Sequence, residues 1–163
     1  MPYLKCQPNL KLIIFKLLPC SDSFFLLPLL KLHPFVGVLI SPYSIVSGSF
    51  KGSLTNNNYE IFVGMMASEV TLQIEKAASK SKFSRLGGLQ FDREIRSLVS
   101  FFATWSMREK FSRLNQIATI LNLEAVGEIN DFHENWKLTP TEMKQILALR
   151  VDFNAEEVKK LRL

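Results

Sequence analysis

The 163 residues are 47% apolar and carry a net charge of +5, which suits one ordinary packed domain and raises nucleic acid or an anionic membrane as a target. The location of the charge argues against such a target: residues 1–59 hold five Lys, no Arg and a single acid, Asp22, whereas residues 60–163 hold fifteen Lys and Arg against fourteen Asp and Glu, so the larger part lacks the one-sided field that nucleic-acid binding needs. Both cysteines, Cys6 and Cys20, also fall in the first third, which excludes a disulfide framework or thiolate metal site from the remainder and fits the thiol usage of cytosolic proteins.

Residues 10–50 are rich in Leu, Phe, Ile, Pro and Ser and show neither a helical nor a strand period. Pro19, Pro28, Pro34 and Pro42 interrupt at short intervals, each removing a backbone donor and biasing its predecessor away from helix. Leu32–Phe50 carries no Lys, Arg, Asp or Glu and is long enough for a membrane span, yet it holds two prolines, two glycines and four serines. A signal peptide would place Lys5 at the charged end and Leu10–Leu18 in the apolar part, but Lys11 and Lys16 fall inside it. Residues 1–58 are therefore expected to be a hydrophobic Pro/Ser/Phe-rich segment that is disordered or derives from an artefact of the gene model. Asn56-Asn57-Asn58 marks the change of composition.

From Tyr59 the period is helical. Val63, Met66, Val70, Ile74 and Ala77 repeat at three- and four-residue spacing, the signature of one buried helix face, and the spacing predicts a helix over 60–83. Gly87 and Gly88 follow, and glycine's readiness to cap a helix in the left-handed conformation predicts a helix break there. A second amphipathic run starts beyond it, with Asp92 and Glu94 near its positive end and Ile95, Leu98, Val99 and Phe102 as its stripe, widened by Phe101 and Trp105. Ser106-Met107-Arg108-Glu109 has the form of a capping box and predicts a new helix from 107, the alternative being one continuous helix through Trp105. That helix carries Phe111, Leu114, Ile117, Ala118 and Leu121 on one face, with Arg113 and Ile120 beside it. Asn122 is placed to cap a short helix over Leu123–Phe132, with Val126 and Ile129 inward.

Thr139-Pro140-Thr141-Glu142 is the strongest start signal in the chain. Thr139 caps, Pro140 takes the first helical position where no donor is missed, and Glu142 closes the box. Met143, Ile146, Leu147 and Arg150 share the face that follows. Asn154-Ala155-Glu156-Glu157 starts a last short helix ending at Leu163. No strand alternation occurs from 59 to 163, so the class is all-α, a short antiparallel helical bundle.

Enzyme chemistry finds little to work with. His33 and His133 are the two histidines, a thin basis for a triad. Asp131, His133 and Glu134 sit too close together on a polar connection to preform a metal site, and the glycine pair lies between helices instead of after a strand, as a phosphate loop would. The expectation is a non-enzyme without metal or cofactor.

One string is far more specific than its parts: Phe83-Ser84-Arg85-Leu86-Gly87-Gly88-Leu89-Gln90-Phe91-Asp92-Arg93-Glu94-Ile95-Arg96-Ser97-Leu98 resembles the C-terminal region of subunit 4 of the conserved oligomeric Golgi complex, a vesicle-tethering family. Trp105–Leu114, Ala118–Glu124, Leu138-Thr139-Pro140, Leu147–Phe153 and the ending Lys160-Leu161-Arg162-Leu163 are similar to the same family, so the resemblance runs over residues 59–163. This chain is about three residues shorter around Phe101–Thr104, close to one helical turn, and the connection Asp131–Trp136 also looks shortened.

The resemblance implies a peripheral subunit on the cytosolic face of the Golgi membrane. It would act by protein–protein contact in intra-Golgi retrograde vesicle transport, with other subunits of the complex and the membrane-fusion machinery as partners. It implies the terminal small bundle of a helical rod, without the N-terminal parts expected to contact fusion regulators. It also implies that Arg113 and Glu142 join two helices of that bundle, where their alternatives are a solvated face and a capping role. Two other readings stand beside it, a small membrane-anchored helical protein using residues 10–50 and a nonfunctional fragment of a longer coding sequence.

Overall fold

The computed structural model describes residues 47–103, 107–131 and 136–161, and the chain divides into two compact units, residues 1–59 and 60–163. Expectations on residues 1–46, Trp105, Ser106, His133, Glu134 and the last two residues lie outside the described residues. So does most of the shortened connection before Trp136.

In the first unit, residues 47–51 are helical, and the Ser47 and Tyr59 hydroxyls share a buried hydrogen bond. The first long helix, α1 (Asn56–Ser79), begins here. The Thr55 carbonyl accepts from Tyr59 N at 2.8 Å and its hydroxyl from Asn58 N at 3.4 Å, so α1 starts a few residues before the apolar period becomes visible.

In the second unit, α1 buries Val63, Met66, Val70 and Ile74, each no more than 3% exposed. Each side chain removed from water in this way contributes about 1.5–3 kcal/mol. Ala77 is half-buried and Ala78 takes the core position. The helix tightens at its end, where Lys80 N donates to Ala77 O and Ser81 N to Ala78 O. Phe83 is then extended and pairs with the Arg150 backbone as an isolated bridge: Phe83 N donates to Leu149 O and Val151 N to Phe83 O, both at 2.9 Å.

The helix break is therefore at Lys80–Ser84 and not at the glycines. Ser84, extended at φ −82° and ψ 171°, caps α2 (Arg85–Phe102), and its hydroxyl accepts from Gly87 N at 3.2 Å. A serine cap meets an orphan donor of the first turn, so the helix can begin ahead of Gly87 and Gly88 and run through both. Neither glycine has a positive φ, so left-handed freedom is not their role. A Cβ on Gly88 would lie 1.9 Å from the Leu121 carbonyl oxygen. Glycine is needed there because α2 meets the end of another helix backbone to backbone.

α2 buries Phe91, Glu94, Ile95, Leu98 and Phe102, whereas Val99 and Phe101 are half-buried. The Phe102 ring meets Phe101 edge-on at 5.0 Å and Phe111 at 5.2 Å. After α2 the chain enters a 3-10 turn, Arg108–Phe111, with Met107 before it and no side-chain cap. Only then does α3 (Ser112–Leu121) form. The helix expected from 107 thus opens as a tighter turn, as helix starts without a capping partner often do.

α3 is the central element, packed on α2, on the 3-10 turn and on α4 (Pro140–Leu147). Contact on more than one side buries Ile120 completely, although its position is beside the main stripe. Asn122 corrects a second expectation. It closes α3 as the C-cap residue in right-handed conformation instead of opening a helix at Leu123. The following turn is a 3-10 segment, Val126–Asp131, and Val126 and Ile129 point inward as the spacing requires.

α4 starts as the sequence dictates. The Thr139 hydroxyl accepts from Glu142 N, the Glu142 carboxylate accepts from Thr139 N, and Pro140 sits in the first turn. Met143, Ile146 and Leu147 are buried. The helix ends at Leu147, so Arg150 leaves it and lies in the turn beyond. α5 (Ala155–Lys160) is capped by Asn154 and buries Val158. Among the described residues no strand forms, the architecture is an all-α bundle, and no helix is long and apolar enough to cross a membrane.

Candidate functional site

Two arginines organise the second unit. Arg113, on the first turn of α3, donates from Nη2 to Glu142 Oε1 at 2.8 Å, and its Nε lies 3.5 Å from Glu75 Oε2 on α1. Its Nη1 donates to the Lys137 carbonyl at 3.3 Å, and Lys137 N donates to Gln116 Oε1 at 3.0 Å. One guanidinium thus ties α1, α3, α4 and the connection into α4. Glu142 serves two tasks at once: Oε1 takes the arginine, and Oε2 takes the Thr139 N–H at 2.8 Å. Its carboxyl is held down at about 2 from an ordinary 4.5, first by the Arg113 hydrogen bond and then by the Thr139 backbone and hydroxyl. The Arg113 and Glu142 side chains are 37% and 35% exposed, between the limits of a solvated pair and a buried one.

Arg150 is the more enclosed of the two, its side chain 0% exposed. Nε and Nη2 form a fork to Asp152 Oδ1 and Oδ2 at 2.8 and 2.7 Å, the planar match that suits guanidinium to carboxylate. Nη1 donates to the Leu121 carbonyl at 2.5 Å and to the Leu123 carbonyl at 3.0 Å. The last carbonyls of a helix have no intrahelical partner, and here the arginine supplies one for Leu121. The Phe153 ring lies 4.3 Å beneath the guanidinium, within cation–π range. The hydrogen bond from Arg150 lowers the Asp152 pKa, while burial opposes it. Leu121 O, held by Arg150, is the same atom that Gly88 approaches. Gly88, the end of α3 and Arg150 therefore form one corner.

Both guanidiniums are already committed to protein acceptors, so their chemistry is to hold elements together. Spacing in the sequence offers Arg113 the acid Glu109, four positions earlier, yet Glu109 Oε1 lies 3.6 Å from Lys137 Nζ instead, and Glu75 as the second partner of Arg113 is invisible there. Arg150 and Asp152 carry a faint local signal, an Arg-x-Asp pair just after a helix, but the two carbonyls that the arginine serves come from a segment almost thirty positions away. Gly87 packs ordinarily, since a Cβ placed on it would have Ser84 Oγ at 3.5 Å as its nearest neighbour. Among the described residues no group of three or more His, Cys, Asp or Glu is placed to hold a metal.

Comparison with known proteins places this arrangement in a family. Residues 33–145 match the family described as "Conserved oligomeric Golgi complex subunit 4, C-terminal", a match that begins ahead of Tyr59 and so includes part of the irregular segment. The chain is 51% identical over 123 residues to conserved oligomeric Golgi complex subunit 4 of Pongo abelii, covering 70% of this chain and 16% of that protein. It is 41% identical over 140 residues to the Drosophila melanogaster protein of the same name, covering 79% and 18%. With the Arabidopsis thaliana protein of that name it is 44% identical over 119 residues, covering 68% and 16%. The chain thus spans less than a fifth of the length of these relatives. With more than half of its residues inside the family match and the identity sustained from animals to a plant, the chain belongs to the family of the C-terminal region of conserved oligomeric Golgi complex subunit 4.

Proposed function

We propose that the chain is a non-enzymatic component of the oligomeric Golgi tethering complex, serving intra-Golgi retrograde vesicle transport and Golgi maintenance through protein–protein contacts. The observation that carries this reading is the family match over residues 33–145. The fixed surface of an α-helical bundle, with its two most connected arginines engaged inside the protein, supports a role as a rigid docking module. Its partners in this reading are other subunits of the complex and the membrane-fusion machinery. Its place is the cytosolic face of the Golgi membrane, held peripherally. Within the bundle, Arg113 and Glu142 act as the interhelical tie.

A chimaera tests the reading. The matching C-terminal segment of a full-length relative is replaced by residues 33–163 of this chain, and the product is expressed in cells lacking their own subunit 4. Copurification with the other subunits and recovery of Golgi glycosylation are expected. A chimaera that is folded and abundant yet neither assembles nor restores glycosylation would overturn the proposal. Alkaline carbonate should release the assembled protein from Golgi membranes, and retention in the membrane would refute peripheral attachment.

A further inference from the structure

We propose that the cleft between α2 and α3 docks a carboxylate-bearing segment of a partner polypeptide. The cleft encloses about 450 Å³. Asp92, Arg96 and Val99 line it from α2 and Ala103 from the cap just past its end, their three- and four-residue spacing putting them on one side. Asn115 and Thr119, four apart on α3, form the facing wall, and Arg108 enters from the 3-10 turn.

The charges in this cleft do not cancel. Arg96 Nε is paired with Asp92 Oδ2 at 2.9 Å, which answers one cation with one anion. Arg108 is exposed and has no hydrogen bond or ion pair among the described residues. One guanidinium in the lining is therefore left without an anion among the described residues, with a planar fork of donors that fits a carboxylate. The Asn115 side-chain amide, half-buried, likewise has no partner among the described residues, and its donor and acceptor match those of a peptide bond. Val99, half-buried, offers an apolar floor for a neighbouring side chain.

These groups suit a polypeptide better than the other anions of a cell. A phosphate dianion or an anionic bilayer would meet a single uncompensated cation and the Asp92 carboxylate in the same wall. A peptide carrying one acid beside a small apolar residue uses the arginine, the amide and the floor together. The cleft's own side chains carry this assignment, apart from the reading of the chain as a tether component.

The test uses the full chain and a displayed library of random peptides about twelve residues long, with inorganic phosphate and phosphatidylserine vesicles as parallel probes. Peptides selected on the wild-type chain and displaced from Arg108→Glu should be enriched in Asp or Glu. Their affinity should fall roughly tenfold or more on Arg108→Glu, as the loss of a charged pair at an interface does. Replacing the peptide's acid by Lys should restore binding to Arg108→Glu. Arg108 is exposed, so an unchanged melting temperature establishes that the variant is folded, and amide shifts at Val99, Asn115 and Thr119 locate the peptide. Selection of peptides without an acid, failure of the charge swap, or Arg108-dependent binding of phosphate or vesicles in place of peptide would each overturn the proposal.

Discussion

Adding one methyl group to each of the two adjacent glycines should change stability in opposite directions. Both lie in the first turn of α2, where alanine exceeds glycine in helix propensity by up to about 1 kcal/mol. At Gly87 the new Cβ has Ser84 Oγ at 3.5 Å as its nearest neighbour, an ordinary contact, so Gly87→Ala should be neutral or stabilising by about 0.5 kcal/mol. At Gly88 the Cβ would stand 1.9 Å from Leu121 O and 2.8 Å from Leu121 C. A carbon–oxygen contact needs about 3.3 Å, so α2 and the end of α3 must part by more than 1 Å, roughly. That movement is resisted, because Arg150 Nη1 already holds Leu121 O at 2.5 Å. Overpacking costs about 1–3 kcal/mol, and loss of a charged hydrogen bond about 1.5–3 kcal/mol. Less the propensity gain, Gly88→Ala should lose about 1.5–5 kcal/mol. For a unit of this size that is a fall in melting temperature of roughly 7–23 °C. Circular-dichroism melts of the full chain and both variants make the comparison. If Gly88→Ala melts with the wild type, or if Gly87→Ala falls equally, the close approach of α2 to α3 is not what this glycine serves.

Arg150→Met removes the fork to Asp152 and strands the Leu121 and Leu123 carbonyls, so urea unfolding should show a loss of about 3–5 kcal/mol. Arg150→Lys should recover less than half of that loss, because an ammonium cannot reach both the carboxylate and the two carbonyls. Asp152→Asn leaves the Arg150 guanidinium, 0% exposed, without its counter-charge and should cost about 3 kcal/mol, the low end for a broken buried pair because Asp152 itself is 41% exposed. A double-mutant cycle on Arg113→Ala and Glu142→Ala should give a coupling of about 1–2 kcal/mol, between the values for exposed and buried pairs; additive single effects would remove the tie between α3 and α4. Glu142 also sets a pH dependence. Its folded pKa lies below its unfolded one, so its contribution is complete above the ordinary 4.5 and is lost as pH falls toward about 2. The stability difference between wild type and Glu142→Gln should therefore shrink across that window, with solvent screening holding its full size near 1 kcal/mol, roughly. Thr139→Ala should cost about 1 kcal/mol through the cap of α4, read from the same melts.

What the sequence determined alone is what depends on neighbours within about one helical turn. The three- and four-residue recurrence of Val63, Met66, Val70 and Ile74 sets a buried face on α1 whatever packs on it, and Thr139, Pro140 and Glu142 satisfy the start of α4 among themselves. These local preferences sufficed for an all-α class. The tertiary structure decided the rest, because the deciding partner is distant along the chain. Gly87 and Gly88 read alike as a break, yet a serine cap three residues earlier and a carbonyl from α3 give them different tasks. Asn122 can cap in either direction, and in the structure it ends α3, its backbone N–H donating to Ile120 O and Thr119 O. Arg150 continues the face of α4 on paper, but two carbonyls and a carboxylate compete for its guanidinium. A buried cation goes to the place where its donors are answered, and periodicity carries no information about where that place is.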